Sequence, residues 1–355
     1  MKTLLRLLLK SQHQQNRSHP TQTEKGMTLV ELLVGAIMAF LIITPMLAFV
    51  VDMLNTDRRE QVKSNTEQDL QAAADFIAQD LNQAIYIYDN DGITALNAGN
   101  FIPPPNANQT PILVFWKREI LKNSLPATTL TPLPKDCDPE ALPGTKGECN
   151  DTYVLSLVAY YKIKETALDS IWCQPSGLPC PTRIARYQIQ DGLKNISGTY
   201  FTPDQLKTKG QEKSQAYNGI PSGTIPAFDI TKPDKNVTNT NVAWDPEQVL
   251  VNYIDYSSND DTKLPPTECQ TALGTPADPK DATKKIDETT LKVTDTDNIN
   301  SFYACVDTAR NTARVTIRGN SLRRLQTNDT AYNPNKSAFF PTASVLVQGL
   351  GARGK

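Results

Sequence analysis

The chain predicts an α+β fold, a long helix near the N-terminus followed by a series of antiparallel strands. Three observations carry that expectation. Leu32–Val51 is a run of twenty residues without a charge. Beyond it, no Gly or Pro occurs between Val51 and Gly92, so nothing interrupts a helix there. After residue 100 the character changes, and 23 of the 25 prolines fall in that part, punctuating short strand-like runs.

Residues 1–26 come first and carry Lys2, Arg6, Lys10, Arg17 and Lys25 against Glu24, a net of +4. The whole chain carries −2, so the remainder carries −6 and lacks the basic footprint of a nucleic-acid binder. Both histidines, His13 and His19, lie in this stretch. If it is removed, Ser-His-Asp and Cys-His catalysis and every His-ligated metal site are excluded from the rest. The Leu4–Leu9 patch is broken by Arg6 and is too short to span a membrane.

Leu32–Val51 has the length needed to cross a hydrocarbon core of roughly 30 Å. A secretory signal fits poorly, because its apolar stretch runs only about 7–15 residues and ends at a small-x-small site. Five basic residues precede the span, whereas Arg58, Arg59 and Lys63 behind it are interleaved with Asp52, Asp57 and Glu60. By the flanking-charge rule the N-terminus stays in the cytoplasm and the rest lies on the far side. Glu31 sits at the edge of the span. It is either solvated at the interface or paired, since a carboxylate inside a membrane helix costs on the order of 2.5–3.5 kcal/mol. Pro45 lies within the span, where a membrane helix tolerates it as a kink.

Behind the span, apolar residues recur at Val62, Leu70, Ala73, Ile77, Leu81, Ala84 or Ile85, and Tyr88, one face of a helix expected over residues 57–88. Arg58, Glu60, Glu67, Asp69, Gln79 and Asp80 fall mostly elsewhere. Strands are expected at Ile112–Trp116, Thr152–Lys164, Arg183–Gln190, Gln248–Tyr256, Ala313–Arg318 and Ser344–Gln348. The second and third should form a hairpin with Cys173 and Cys180 in its connection. The Pro103–Pro105 run and residues 126–143 must be loops, and the polar stretches near 203–245 and 257–300 read as long loops or small insertions.

The stretch Lys25-Gly26-Met27-Thr28-Leu29-Val30-Glu31-Leu32-Leu33-Val34 resembles the N-terminal signal of type IV pilins and pseudopilins. The resemblance implies that a prepilin peptidase cuts after Gly26 on the cytoplasmic side and methylates Met27, the new N-terminus. Glu31 then occupies the fifth mature position, where its carboxylate and the new amine can neutralise each other within or between subunits. The family usually has Phe in place of Met27, and this leader is long. Implied domains are a cleaved leader at 1–26, a transmembrane or filament-core helix at 27–53 and a non-cytoplasmic, pilin-like globular domain at 54–355. In that fold the helix packs on an antiparallel sheet, here with long loop insertions, and the family carries a helix-disturbing proline in the region of Pro45.

Within the family, Tyr160-Tyr161 followed by the Arg183–Tyr187 strand resembles the minor pseudopilin J type. Gln68–Ile85, Ala313–Asn320 and Phe340–Val345 are similar to cyanobacterial hormogonium polysaccharide secretion pseudopilins. The implied role is a structural subunit, not an enzyme, in an inner-membrane apparatus for polysaccharide export. Its partners would be the peptidase, other pseudopilins or pilins, the inner-membrane assembly platform and membrane lipid, with no nucleic acid. Two other readings stay open. One is a minor type IV pilin for motility or DNA uptake. The other is a membrane-anchored periplasmic enzyme or binding protein, although no carboxylate spacing singles out a catalytic pair.

Six cysteines, Cys137, Cys149, Cys173, Cys180, Cys269 and Cys305, all follow the span. Without a C-x-x-C pair or nearby histidine they do not resemble a zinc site. An even number beyond the membrane fits disulfides, and buried free thiols are the other reading. Sequence permits 15 pairings, of which the locally closed set, Cys137–Cys149, Cys173–Cys180 and Cys269–Cys305, is the simplest. Asp89-Asn90-Asp91-Gly92 and Asn259-Asp260-Asp261 offer oxygen ligands of the kind calcium takes, but lack EF-hand spacing, and turn chemistry accounts for them. Val347-Gln348-Gly349-Leu350-Gly351 is followed by no helix and is no phosphate cradle. No cofactor is expected.

Overall fold

A computed structural model of the chain describes residues 28–98, 102–103, 108–126, 149–190, 246–279 and 281–351. Gly26, Met27, Cys137 and the polar stretch at 203–245 lie outside the described residues, as do the side chain of Cys149 and with it the Cys137–Cys149 pairing. The fold is α+β, with two compact units at residues 1–58 and 59–355. One helix, α1 (Leu29–Asn82), runs from the first into the second.

In the first unit, an 18-residue window of α1 has a mean hydropathy of 2.5 and no buried residue. It is long and apolar enough to cross a membrane. Leu33, Ile37, Phe40 and Leu47 are all more than half exposed and are covered by none of the described residues. Pro45 lies inside α1 without ending it. The proline lacks the N–H that would reach the Leu41 carbonyl, and beside it the Thr44 hydroxyl donates back to the Phe40 carbonyl at 2.8 Å.

In the second unit α1 buries Thr66, Leu70, Ala73, Ala74, Ile77, Asp80 and Leu81, close to the stripe expected from the sequence. It ends at Asn82, six residues before the expected Tyr88. Ala84-Ile85-Tyr86-Ile87-Tyr88 is β-branched and aromatic at three of its first four positions, and such residues favour a pleated strand. Residues Ala84–Ile87 form β1. The residues that continued the apolar stripe form an edge strand with a register shift between Ala84 and Tyr86.

A short helix, α2 (Asn90–Ala98), precedes β2 (Gln109–Pro126), β3 (Cys149–Lys164), β4 (Thr182–Gln190) and β5 (Gln248–Ile254). These strands make a five-stranded antiparallel sheet in the order β1-β2-β3-β4-β5. The expected hairpin is present, with Tyr160 opposite Arg186 across β3 and β4. The stretch after Ser257 folds into small pieces: α3 (Glu268–Ala272), the hairpin β6 (Ala277–Asp278) and β7 (Asp281–Lys285), and α4 (Glu288–Leu291). Next come β8 (Lys292–Val293), β9 (Phe302–Asp307), β10 (Thr312–Arg318), the single turn α5 (Leu322–Leu325) and β11 (Thr342–Gln348). Strands β8–β11 form a second antiparallel sheet in the order β11-β10-β9-β8.

The main core joins α1 to both sheets. From the second sheet it takes Phe302, Ala304 and Val306, then Ala313, Val315 and Ile317, then Ala343 and Val347, the alternate residues of three adjacent strands. The other face of β9 supplies Tyr303 and Cys305 to a smaller cluster with Leu264, Cys269, Leu273 and Leu291, closed by the Cys269–Cys305 disulfide. The sheets meet where Ile254 bridges Gly319, with the Asn320 N–H donating to the Tyr253 carbonyl at 2.7 Å. Gly319 is needed there for its missing side chain. A Cβ on it would stand 2.9 Å from both Leu70 Cδ1 and Thr66 Cγ2 of α1.

Gly319→Ala should therefore lower stability by ~1–3 kcal/mol through overpacking, and Gly319→Leu by more. Denaturant unfolding of the detergent-solubilised chain checks this, and equal stability for Gly319→Leu would mean that helix and sheet do not approach as described.

Candidate functional site

At the start of α1 the motif residues form a local constellation. The Thr28 N–H and hydroxyl both donate to Glu31 Oε2, at 3.0 and 3.1 Å, and the Glu31 N–H donates to Thr28 Oγ1 at 3.4 Å. This is a capping box, in which Thr at the N-cap and Glu three residues on satisfy each other's free N–H groups. Glu31 thus has a structural role that its membrane-edge position did not reveal, although Thr-x-x-Glu was the available signal. The carboxylate still lies only four residues beyond Met27.

The acidic clusters are also caps and turns. Asp89 Oδ1 accepts the Gly92 N–H at 2.9 Å at the start of α2, and its other oxygen accepts the Thr308 hydroxyl at 3.1 Å. Asp91 accepts the Thr290 hydroxyl. Asn259 donates to the Tyr332 carbonyl at 2.8 Å, and Asp260 pairs with Lys263. Among the described residues no group of three His, Cys, Asp or Glu side chains converges to hold a metal ion. The glycines near the C-terminal end serve close packing: a Cβ on Gly349 would lie 2.4 Å from the Ala84 carbonyl oxygen, and one on Gly351 2.0 Å from that of Ile85.

Two of the expected disulfides are formed, Cys173–Cys180 and Cys269–Cys305. The first closes the loop between β3 and β4, which an arginine from α5 braces. Arg323 is fully buried and donates to the carbonyls of Pro175, Gly177 and Pro179 at 2.6–2.8 Å. A guanidinium suits this task because its donors spread in one plane. Nothing in the local sequence around Arg323 marks it for burial.

The densest polar arrangement is likewise one that the helical periodicity alone concealed. Asp80, grouped by sequence with residues off the apolar face, is 7 % exposed and faces the first sheet. Its oxygens meet Lys117 Nζ of β2 at 3.1 Å, the Tyr160 hydroxyl of β3 at 2.7 Å and Arg186 Nε of β4 at 2.7 Å. Arg186 donates on to Gln188 Oε1 at 2.5 Å. Glu119 then accepts from Gln188 and Ser156, each at 2.7 Å, and pairs with Lys117 at 2.7 Å. Two carboxylates and two cations balance within one network. The signal in the sequence was a carboxylate three residues after Ile77, with Lys117 directly after the apolar run Ile112–Trp116 and Arg186 within β4.

Burial pushes the Asp80 carboxyl up, but the Arg186 guanidinium and then Lys117, with the Tyr160 hydroxyl, hold it below the ordinary aspartate value. Burial and the Asp80 charge push the Tyr160 hydroxyl well above its usual value, so it stays a donor. On the same face Lys162 is enclosed with Asp295 at 2.7 Å and Ser301 at 2.5 Å, and burial lowers its ammonium against the pull of Asp295. The Asp80 network clamps helix to sheet, and Lys162 ties β3 to the segment between β8 and β9. Comparison with family models, curated proteins and solved structures finds no match for this chain.

Because its folded value is depressed, Asp80 contributes stability above its unfolded pKa of about 3.9, and that contribution is lost as pH falls through the lower folded value. Asp80→Asn should cost ~3–5 kcal/mol near neutral pH by leaving buried cations uncompensated. The gap to the unaltered protein should narrow below about pH 4. Unfolding midpoints measured from pH 7 to pH 3 check this; a constant gap contradicts the ionised clamp.

Proposed function

We propose that the chain is a minor pseudopilin, a structural assembly subunit of a type II secretion-like or type IV pilus-like apparatus in the inner membrane. The observation that carries the reading is the Gly26-Met27 junction with Glu31 at the fifth following position, set between a basic leader and an uncharged span. Support comes from the helix that follows. Its apolar N-terminal part has no buried residue within this chain, whereas its C-terminal part is bound by its own domain. A subunit built for packing has such a helix, because association in a membrane depends on close helix contact rather than on escape from water. The domain of about 300 residues is bulky for a repeated shaft subunit, which favours a minor role. The cytoplasmic N-terminus follows from the basic leader. Export of polysaccharide follows from the sequence resemblance.

Cleavage should leave mature protein beginning at methylated Met27, read as the mass of the N-terminal peptide from cells. An intact Met1 start removes the assembly reading. Glu31 variants then separate its two roles. Glu31→Gln preserves a capping-box side chain but removes the charge, whereas Glu31→Ala removes both. If the carboxylate neutralises the new amine, both variants should lose recruitment into the complex at normal abundance. Recruitment by Glu31→Gln equal to that of the unaltered protein would reduce Glu31 to a helix cap, whose loss costs ~1 kcal/mol.

A further inference from the structure

The face of the second sheet that points away from the main core carries a cleft of about 340 Å³. Its floor follows from strand alternation. Ala313, Val315 and Ile317 of β10 enter the core, so Arg314, Thr316 and Arg318 point the other way. Ser344 of β11 lies beside them, opposite Thr316 in register. The wall is the segment that returns to β11, which brings Tyr332 and Phe340 into an edge-to-face pair with ring centroids 5.1 Å apart. All of these groups belong to the second unit.

The charges on this floor are already compensated. Arg318 pairs with the buried Asp255 and lies over the Tyr332 ring at 4.5 Å. Arg314 donates from Nε to the Ser344 hydroxyl at 3.1 Å and has Glu268 at 3.8 Å. Its side chain is 34 % exposed at the cleft. With two guanidiniums balanced by two carboxylates, the cleft has no net charge to favour an anion. What remains is a dense set of neutral or neutralised hydrogen-bonding groups beside two aromatic rings.

We propose that this cleft binds a neutral saccharide. A sugar ring combines hydroxyls that donate and accept with a C–H face that packs on an aromatic ring, and it has no charge. Tyr332, whose ring is half-buried, takes the apolar face with the buried Phe340 behind it, while Arg314 and Ser344 take the hydroxyls. The volume lies at the lower end for ligand sites, about 300–1,000 Å³, which fits one or two sugar units of a longer chain entering from the open side. The inference stands on these side chains and is independent of the assembly reading, which supplies only a reason to try polysaccharide fragments.

The test uses the full chain purified in detergent. The probes are neutral hexasaccharides of glucose, mannose, xylose and galactose, with inorganic phosphate and an oligouronate as anionic probes, and the readouts are calorimetry and saturation-transfer NMR. At least one neutral hexasaccharide should bind with a Kd on the order of 1 mM or tighter. Arg314→Ala, and Ser344→Trp placed to fill the cleft, should each weaken binding at least tenfold, with thermal unfolding unchanged. Leu178→Ser, on the disulfide loop and not among the residues that line the cleft, should leave affinity unchanged. Silence of every neutral probe at about 10 mM, binding of phosphate or uronate alone, or saccharide binding indifferent to both cleft variants overturns the proposal. None of these outcomes bears on N-terminal processing, so failure here is distinct from failure of the pseudopilin reading.

Discussion

The carboxylate of Asp80, buried against a sheet, sets the terms for the rest of the domain. Alone, a charge in that position would be too costly to keep. It is tolerable because Lys117, Tyr160 and Arg186 reach it from three adjacent strands. Each of those side chains extends from a different strand, so all three bonds exist together only when β2, β3 and β4 are in register and α1 lies at one height along them. An apolar contact between helix and sheet would tolerate a slide of one turn; this one does not. We regard the network chiefly as a determinant of register, since replacing buried ion pairs with apolar packing is often neutral for stability. Gly319 acts in the same direction from the second sheet, by letting β10 approach Thr66 and Leu70.

Helix α1 is continuous from Leu29 to Asn82, so the helix that the domain grips by its C-terminal part also carries the apolar N-terminal part. That is a useful property in a subunit whose proposed work is packing beside others. The Cys173–Cys180 loop braced by Arg323, and the Cys269–Cys305 disulfide behind β9, secure outlying segments that contribute little to the main core. In the proposed topology they lie on the non-cytoplasmic side, where disulfides persist.

Much of this was legible in the sequence wherever a single periodicity dominated. Ala313-Arg314-Val315-Thr316-Ile317-Arg318 alternates as a half-buried strand must, and Leu70, Ala73, Ile77 and Leu81 mark a helix face. Legibility failed where two patterns shared the same residues. Ala84, Ile85 and Tyr88 continued the helix stripe, but the β-branched and aromatic side chains of Ile85, Tyr86 and Ile87 favoured a strand. The strand Phe302–Asp307 was missed because all six of its residues are buried, with one face in the main core and the other in the smaller cluster, so alternation vanished. Asp80 and Arg323 were hidden for a different reason. A charged residue reads as exposed until its partners are known, and those partners lie 37–148 residues away.

The central claim is that the uncovered apolar half of α1 is a surface for other helices and not merely a lipid anchor. The most direct measurement places a photoreactive side chain at Phe40, which is 70 % exposed, and irradiates intact cells producing the chain at native levels. The account predicts crosslinks to other single-span apolar helices of the assembly, lost when Gly26→Ala blocks cleavage. Crosslinks to lipid alone, the same with and without Gly26, would contradict it.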